Sequence, residues 1–276
     1  MIRGALRVAW RALWRFFDHS GPDRAAAVAY YTLLSLLPLF IFAISLGVHL
    51  LGSFDAAYQG TLYFFRGVVV QLDPPTLAAL REFVERAVRL QWPGILLLAW
   101  TSKRMFGSLF SALEKVFEVR GRGFAGGNLL AFAMVLATGI AVLATLAFTL
   151  VMAAGEGLAL RIGVMGGALN TLTALLLTQA LPFLITLSFF FIVYRTVPHR
   201  VVDSRYALAG ATLATVLWEL AKAGFAWYVR NLTHYAGLYG TLEGVIVLAL
   251  WLEVSVSIIL YCGEVVALLV IPRPEA

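Results

Sequence analysis

The chain has 276 residues, 61% of them hydrophobic and only 13% charged, with a mean hydropathy of +0.88. Ordinary soluble domains hold about 45–50% apolar residues, so this composition excludes one and points to a polytopic membrane protein. The net charge of +6 is explained first by basic residues held on the inner side of a bilayer, and no nucleic-acid partner is expected. The lone Cys262 lies in an apolar run, which leaves no disulfide framework and no thiolate metal site.

Residues 1–24 open with an amphipathic pattern. Arg3, Arg7, Arg11 and Arg15 recur every four positions, and Ile2, Leu6, Trp10, Leu13, Trp14 and Phe17 are assigned to the other side of the same helix. A basic face opposite tryptophans suits a helix lying on an anionic inner leaflet. The competing arrangement is a solvated helix packed on the protein's own cytoplasmic face.

A membrane span needs about 20 mostly apolar residues. Within a membrane domain of 25–276, the stretches 25–51, 128–154, 169–194, 206–230 and 241–270 meet that requirement, and 92–113 adds a sixth with Lys103 and Arg104 at its middle. The predicted fold is therefore all-α, with about six transmembrane helices. Between the first two spans, residues 52–91 form an outer loop. Its segment 76–91 places Leu77, Leu80, Val84, Ala87 and Val88 on one stripe, which predicts a helical cap. Pro38 and Pro182 sit near the middle of the first and fourth predicted spans, where each frees a carbonyl one turn earlier and marks a kink.

Orientation follows from the basic residues. With the N-terminus inside, the cytoplasmic segments hold Arg3, Arg7, Arg11, Arg15, Arg24, Lys115, Arg120, Arg122, Arg195, Arg200, Arg205 and Arg273, twelve in all. The outer segments hold Arg66, Arg81, Arg86, Arg89, Arg161 and Arg230, six in all. Both termini are thus expected in the cytoplasm, and the chain in a bacterial inner membrane.

The last predicted span carries Glu243, Glu253 and Glu264. At 100° per residue, Glu253 and Glu264 share a face and Glu243 stands within about 80° of them. Glu243 and Glu264 are expected near the two interfaces, where water is close and a carboxylate costs little. Glu253 falls near the midplane, where a charge costs about 2.5–3.5 kcal/mol. Glu219 and Lys222 of "WELAK" stand at similar depth, as do Lys103 and Arg104. These five residues predict a polar centre, either a set of ion pairs that fixes helix packing or a hydrated pocket for an anionic or amphipathic substrate.

Catalysis has little support. The histidines His19, His49, His199 and His234 are scattered, no HExxH, P-loop or GxSxG occurs, and "GRGFAGG" from Gly121 reads as a turn. No metal, no cofactor and no enzymatic activity are expected.

The run "AYYTLLSLLP" from Ala29 to Pro38 is joined by "TVPHRVVDSRYALAGA", the Tyr239-Gly240-Thr241 turn, Trp251 and the Gly263-Glu264 pair. Together these resemble the YihY/BrkB family of bacterial inner-membrane proteins, nearly end to end. The resemblance implies a six-span helical protein without a known cofactor. The family has carried the labels virulence factor and ribonuclease BN, neither of which states a mechanism. Three functions are weighed. A transporter or flippase-like protein would handle a lipid or other amphipathic anion and keep anionic membrane lipids as partners. A non-transporting scaffold or envelope-integrity factor would show a dry, well-paired centre. A membrane-bound ribonuclease is disfavoured.

Overall fold

The structure is a computed structural model that describes residues 2–55, 58, 74–119, 126–127, 129–130, 132–134, 181–198, 202–232 and 242–270. All its described elements are helices: α1 (Ile2–Asp18), α2 (Gly21–Leu51), α3 (Pro74–Arg89), α4 (Gln91–Val116), α5 (Leu181–Thr196), α6 (Ser204–Leu232) and α7 (Leu242–Val270). The protein has the helical fold of a membrane protein. Among the described residues, Gly21–Leu46 and Gly244–Val270 are long and apolar enough to cross a bilayer, and Phe183–Thr196 is a shorter apolar helix. Most of the predicted third span and the first part of the fourth lie outside the described residues.

Packing divides the chain into residues 30–105 and a second set made of residues 1–29 and 106–276. In the first set, Ile41 and Ile44 of α2 pack with Val84 of α3 into a small core that Phe54, Tyr58 and Phe83 adjoin. The charged face of α3 largely neutralises itself, with Arg86 on Glu82 and Arg81 and Arg89 on Glu85, each four residues apart. α2 runs unbroken through the buried Pro38. Close approach of α2 and α4 occurs at Gly94, where a Cβ would overlap Ile41.

In the second set α6 packs between α5 and α7. Asp203 caps α6, its carbonyl accepting from the amides of Tyr206 and Ala207. Small residues along one face of α6, Ala207, Ala211 and Ala214, are fully buried. They let the helices approach closely without a large side chain between them. Gly210 is the tightest point, since a Cβ there would overlap Val266 of α7. Tyr194 of α5 donates from its hydroxyl to the carbonyl of Ile259, 2.9 Å away and buried. Further along, Trp251 of α7 meets both Trp218 and Phe225 of α6, with ring centroids 5.4 Å and 4.9 Å apart.

α1 packs on α7. The hydroxyl of Tyr261 donates to the carbonyl of Ala9 at 3.3 Å, and Ala12 and Phe16 turn inward and are buried. The turn into α2 is two residues long. Ser20 adopts a left-handed φ of 54°, and a Cβ on Gly21 would overlap the Phe16 ring.

Candidate functional site

Among the described residues Glu264 of α7 is a fully enclosed acid, its side chain 0% exposed. It lies about 9 Å from the end of its helix at 1.5 Å per residue. His19 in the α1–α2 turn places Nδ1 2.6 Å from Glu264 Oε1, within hydrogen-bond distance. Arg15, in the last turn of α1, brings Nε to 2.9 Å from Glu264 Oε2. This second contact is one of charge rather than of aligned hydrogen bonding, because Oε2 accepts no hydrogen bond of good geometry.

Arg15 reaches a third helix as well. Its Nη2 donates to the carbonyl of Val116 at 3.1 Å and to Glu118 Oε1 at 3.0 Å. Val116 O is one of the carbonyls that the end of α4 leaves without an intrahelical partner, and a cation there also complements the helix dipole. The end of α4 is built to meet it. The Val119 amide donates to Glu114 O and the Glu118 amide to Lys115 O, so that Glu118 occupies the left-handed position, φ 51°, usually given to glycine. This sparsely populated backbone conformation places the Glu118 carboxylate beside the guanidinium. Arg24 Nε, donating to His19 O at 3.0 Å, fixes the turn from the other side.

Two expectations are corrected here. Glu264 does not sit where water makes a carboxylate inexpensive, because its side chain is fully buried and its partners are protein groups, Arg15 of α1 and His19 of the α1–α2 turn. Arg15 is not one of four equivalent surface arginines. A repeat of four residues advances 40° per step on a helix, so by its fourth member the row has turned about 120°. Arg7 and Arg11 are exposed, whereas Arg15 is turned onto α7 and its side chain is only 16% exposed. Arg3 lies in α1 but its side chain is outside the described residues. Trp10 and Trp14 are exposed and stand edge to face with centroids 6.4 Å apart.

The polar centre proposed from spacing is placed as follows. Glu219 and Lys222 of α6 form an ion pair of 2.8 Å, with side chains 38% and 43% exposed. At the α-helical rise Glu219 stands about 22 Å from the start of the helix and Lys222 about 15 Å from its end. Glu253 is half-buried, and it lies 200° round α7 from Trp251, a residue that meets α6. Lys103 and Arg104 are exposed on α4, within the separately packed residues 30–105, and the Arg104 guanidinium lies 5.4 Å from the centre of the Trp100 ring. Pro182 stands in the first described turn of α5, and what precedes it is outside the described residues. Among the described residues no group of three or more His, Cys, Asp and Glu is disposed to hold a metal ion.

Residues 12–274 match the family described as "Virulence factor BrkB". The chain is 27% identical over 266 residues to a "UPF0761 membrane protein" of Tolumonas auensis, covering 94% of this chain and 83% of that one. A protein of the same description from Alkalilimnicola ehrlichii is 30% identical over 258 residues, or 91% of this chain, which spans 55% of that protein's length. A protein of Bacillus subtilis named "Putative ribonuclease-like protein YfkH" is 26% identical over 274 residues, with 92% of each chain covered. No solved structure matches. With all but a few terminal residues inside the family match, the helical membrane chain described here belongs to the BrkB family.

Proposed function

We propose that the protein is a multi-pass inner-membrane protein, with both termini cytoplasmic, that moves a lipid or other amphipathic anion along a polar path beside α6. The observation that carries this reading is the Glu219–Lys222 pair, near the middle of α6, a helix that the sequence leads us to expect in the membrane, and about two-fifths exposed. A charge at that depth is expensive in hydrocarbon and is kept where it meets water, a headgroup or a partner group. Dipolar pairs of this kind offer one end to an anionic headgroup and the other to its counter-ion. Lys222 would receive the anion, and Glu219 would hold the ammonium when the path is empty.

Reconstitution tests it. Vesicles containing the purified protein and a fluorescent phosphatidylglycerol are treated with an impermeant reductant, and the rate at which inner-leaflet label becomes accessible is followed. The parent protein accelerates that rate, and Lys222→Gln loses the acceleration while retaining its thermal stability in detergent. A parent protein no faster than empty vesicles would overturn the proposal.

One observation favours a second reading. The full enclosure of Glu264 by three chain segments is what a static scaffold would show, and a scaffold predicts no exchange in the same assay.

A further inference from the structure

α1 has three sides with different chemistry. The inward side carries the buried Ala12 and Phe16 together with Arg15, and it is fixed to α7 by the Glu264 ion pair and the Tyr261 hydrogen bond. A second side carries Leu6, Trp10, Leu13, Trp14 and Phe17, all exposed, with Leu6, Trp10 and Trp14 each more than 60% exposed. On a helix these five fall within about 100° of one another. Along one border of that stripe stand Arg7 and Arg11, both exposed, and residues 2–17 contain no acid at all.

Five large apolar side chains in a row on an exposed helix face mark an interaction surface. We propose that this face of α1 is seated in the interfacial zone of an anionic bilayer surface, with the leucines and aromatic rings toward the acyl chains and Arg7 and Arg11 on the headgroup phosphates. The charge pattern selects this occupant. An edge of a single positive sign complements an anionic surface, whereas two copies of α1 packed through the same stripe would bring like charges together. Tryptophan beside arginine is also the composition found where a bilayer meets water. The clamp through Arg15 leaves α1 no freedom to roll, so the stripe keeps one orientation toward the bilayer. The proposal does not depend on transport, and its test is silent about lipid exchange.

The test uses the full chain with a spin label on a single cysteine introduced at Leu13 or, separately, at Leu6, both of them exposed positions. The unsubstituted chain serves as control, since Cys262 is fully buried. Collision with oxygen and with a water-soluble nickel chelate is compared in vesicles of phosphatidylcholine alone and of phosphatidylcholine with phosphatidylglycerol. At both sites oxygen is expected to dominate in the anionic vesicles. Replacing Arg7 and Arg11 by glutamine should then lower the ratio of seated to unseated helix by about fivefold per arginine, and only where phosphatidylglycerol is present. Nickel dominating at both positions in all vesicles would mean a solvated helix and would overturn the proposal. Exclusion of both reagents would mean that a second copy covers the stripe, and an equal response in the two kinds of vesicle would remove the anionic partner.

Discussion

The Arg15–Glu264–His19 cluster and the Glu219–Lys222 pair are both ion-paired acids on apolar helices, yet they are different objects. Glu264 is fully buried, and its partners come from α1 and the α1–α2 turn, with the end of α4 joined through Arg15. Glu219 finds its partner one turn away on its own helix and stays more than a third exposed. A pair made within one helix says nothing about where that helix sits. A buried acid answered from separate segments fixes those segments against each other, because any other arrangement leaves a charge in a low-dielectric interior without compensation.

Substitution should separate the two by size of effect. The largest loss is expected for Arg15→Met, which leaves Glu264 with His19 as its remaining partner, and breaking a buried pair from one side costs about 3–5 kcal/mol. Thermal unfolding in detergent should show it. The double replacement Arg15→Met with Glu264→Leu should recover most of that loss, since an apolar pair of similar volume removes the stranded charge. Failure of the double variant to recover would mean that packing of α1, not charge, is what the cluster provides.

A smaller effect is expected for Glu264→Gln. It keeps the shape and a hydrogen-bonding oxygen but removes the counter-charge, at about 1–3 kcal/mol. Hydrogen exchange of the α1 amides should rise in this variant while that of α6 stays unchanged. Equal acceleration in both helices would dissolve the distinction between a local and a long-range pair.

The smallest effects are expected outside the enclosed pair. Neutralising Glu219 and Lys222 together should change stability by less than about 1 kcal/mol, the usual scale for exposed pairs on one helix. Glu118→Gly should be close to neutral, because relief of the left-handed backbone offsets the lost contact with Arg15. A loss from the Glu219 and Lys222 replacements as large as that of Arg15→Met would invert the comparison.

Helix existence was legible in the chain because apolar runs of span length and the 3.6-residue period are local signals. α1, α2, α4, α6 and α7 stand within a few residues of the stretches predicted for them. Depth arithmetic correctly picked out Glu219 and Lys222 as neighbours, since three residues on a helix always are. It failed for Glu264. Distance along a span reports how near a residue is to the bilayer surface, and carries no information on whether another part of the protein covers that surface. Two signals pointed to the answer. The four-residue spacing of the arginines turns Arg15 away from Arg3, and Gly263 beside Glu264 leaves the room into which Val116 and Leu113 pack. Neither names the partner, because His19 and Glu264 are 245 residues apart.

That separation has a consequence for how the protein is made. Ribosomes add about 5–20 residues per second, so α1 is synthesised roughly 12–50 s before the acid that holds it. Throughout that interval Arg15 and the inward side of α1 have no α7 to dock on, and arrival of α7 is the event that seats α1. A nascent chain stopped short of Glu264 would therefore display its defect at α1, far along the chain from the point where synthesis ended.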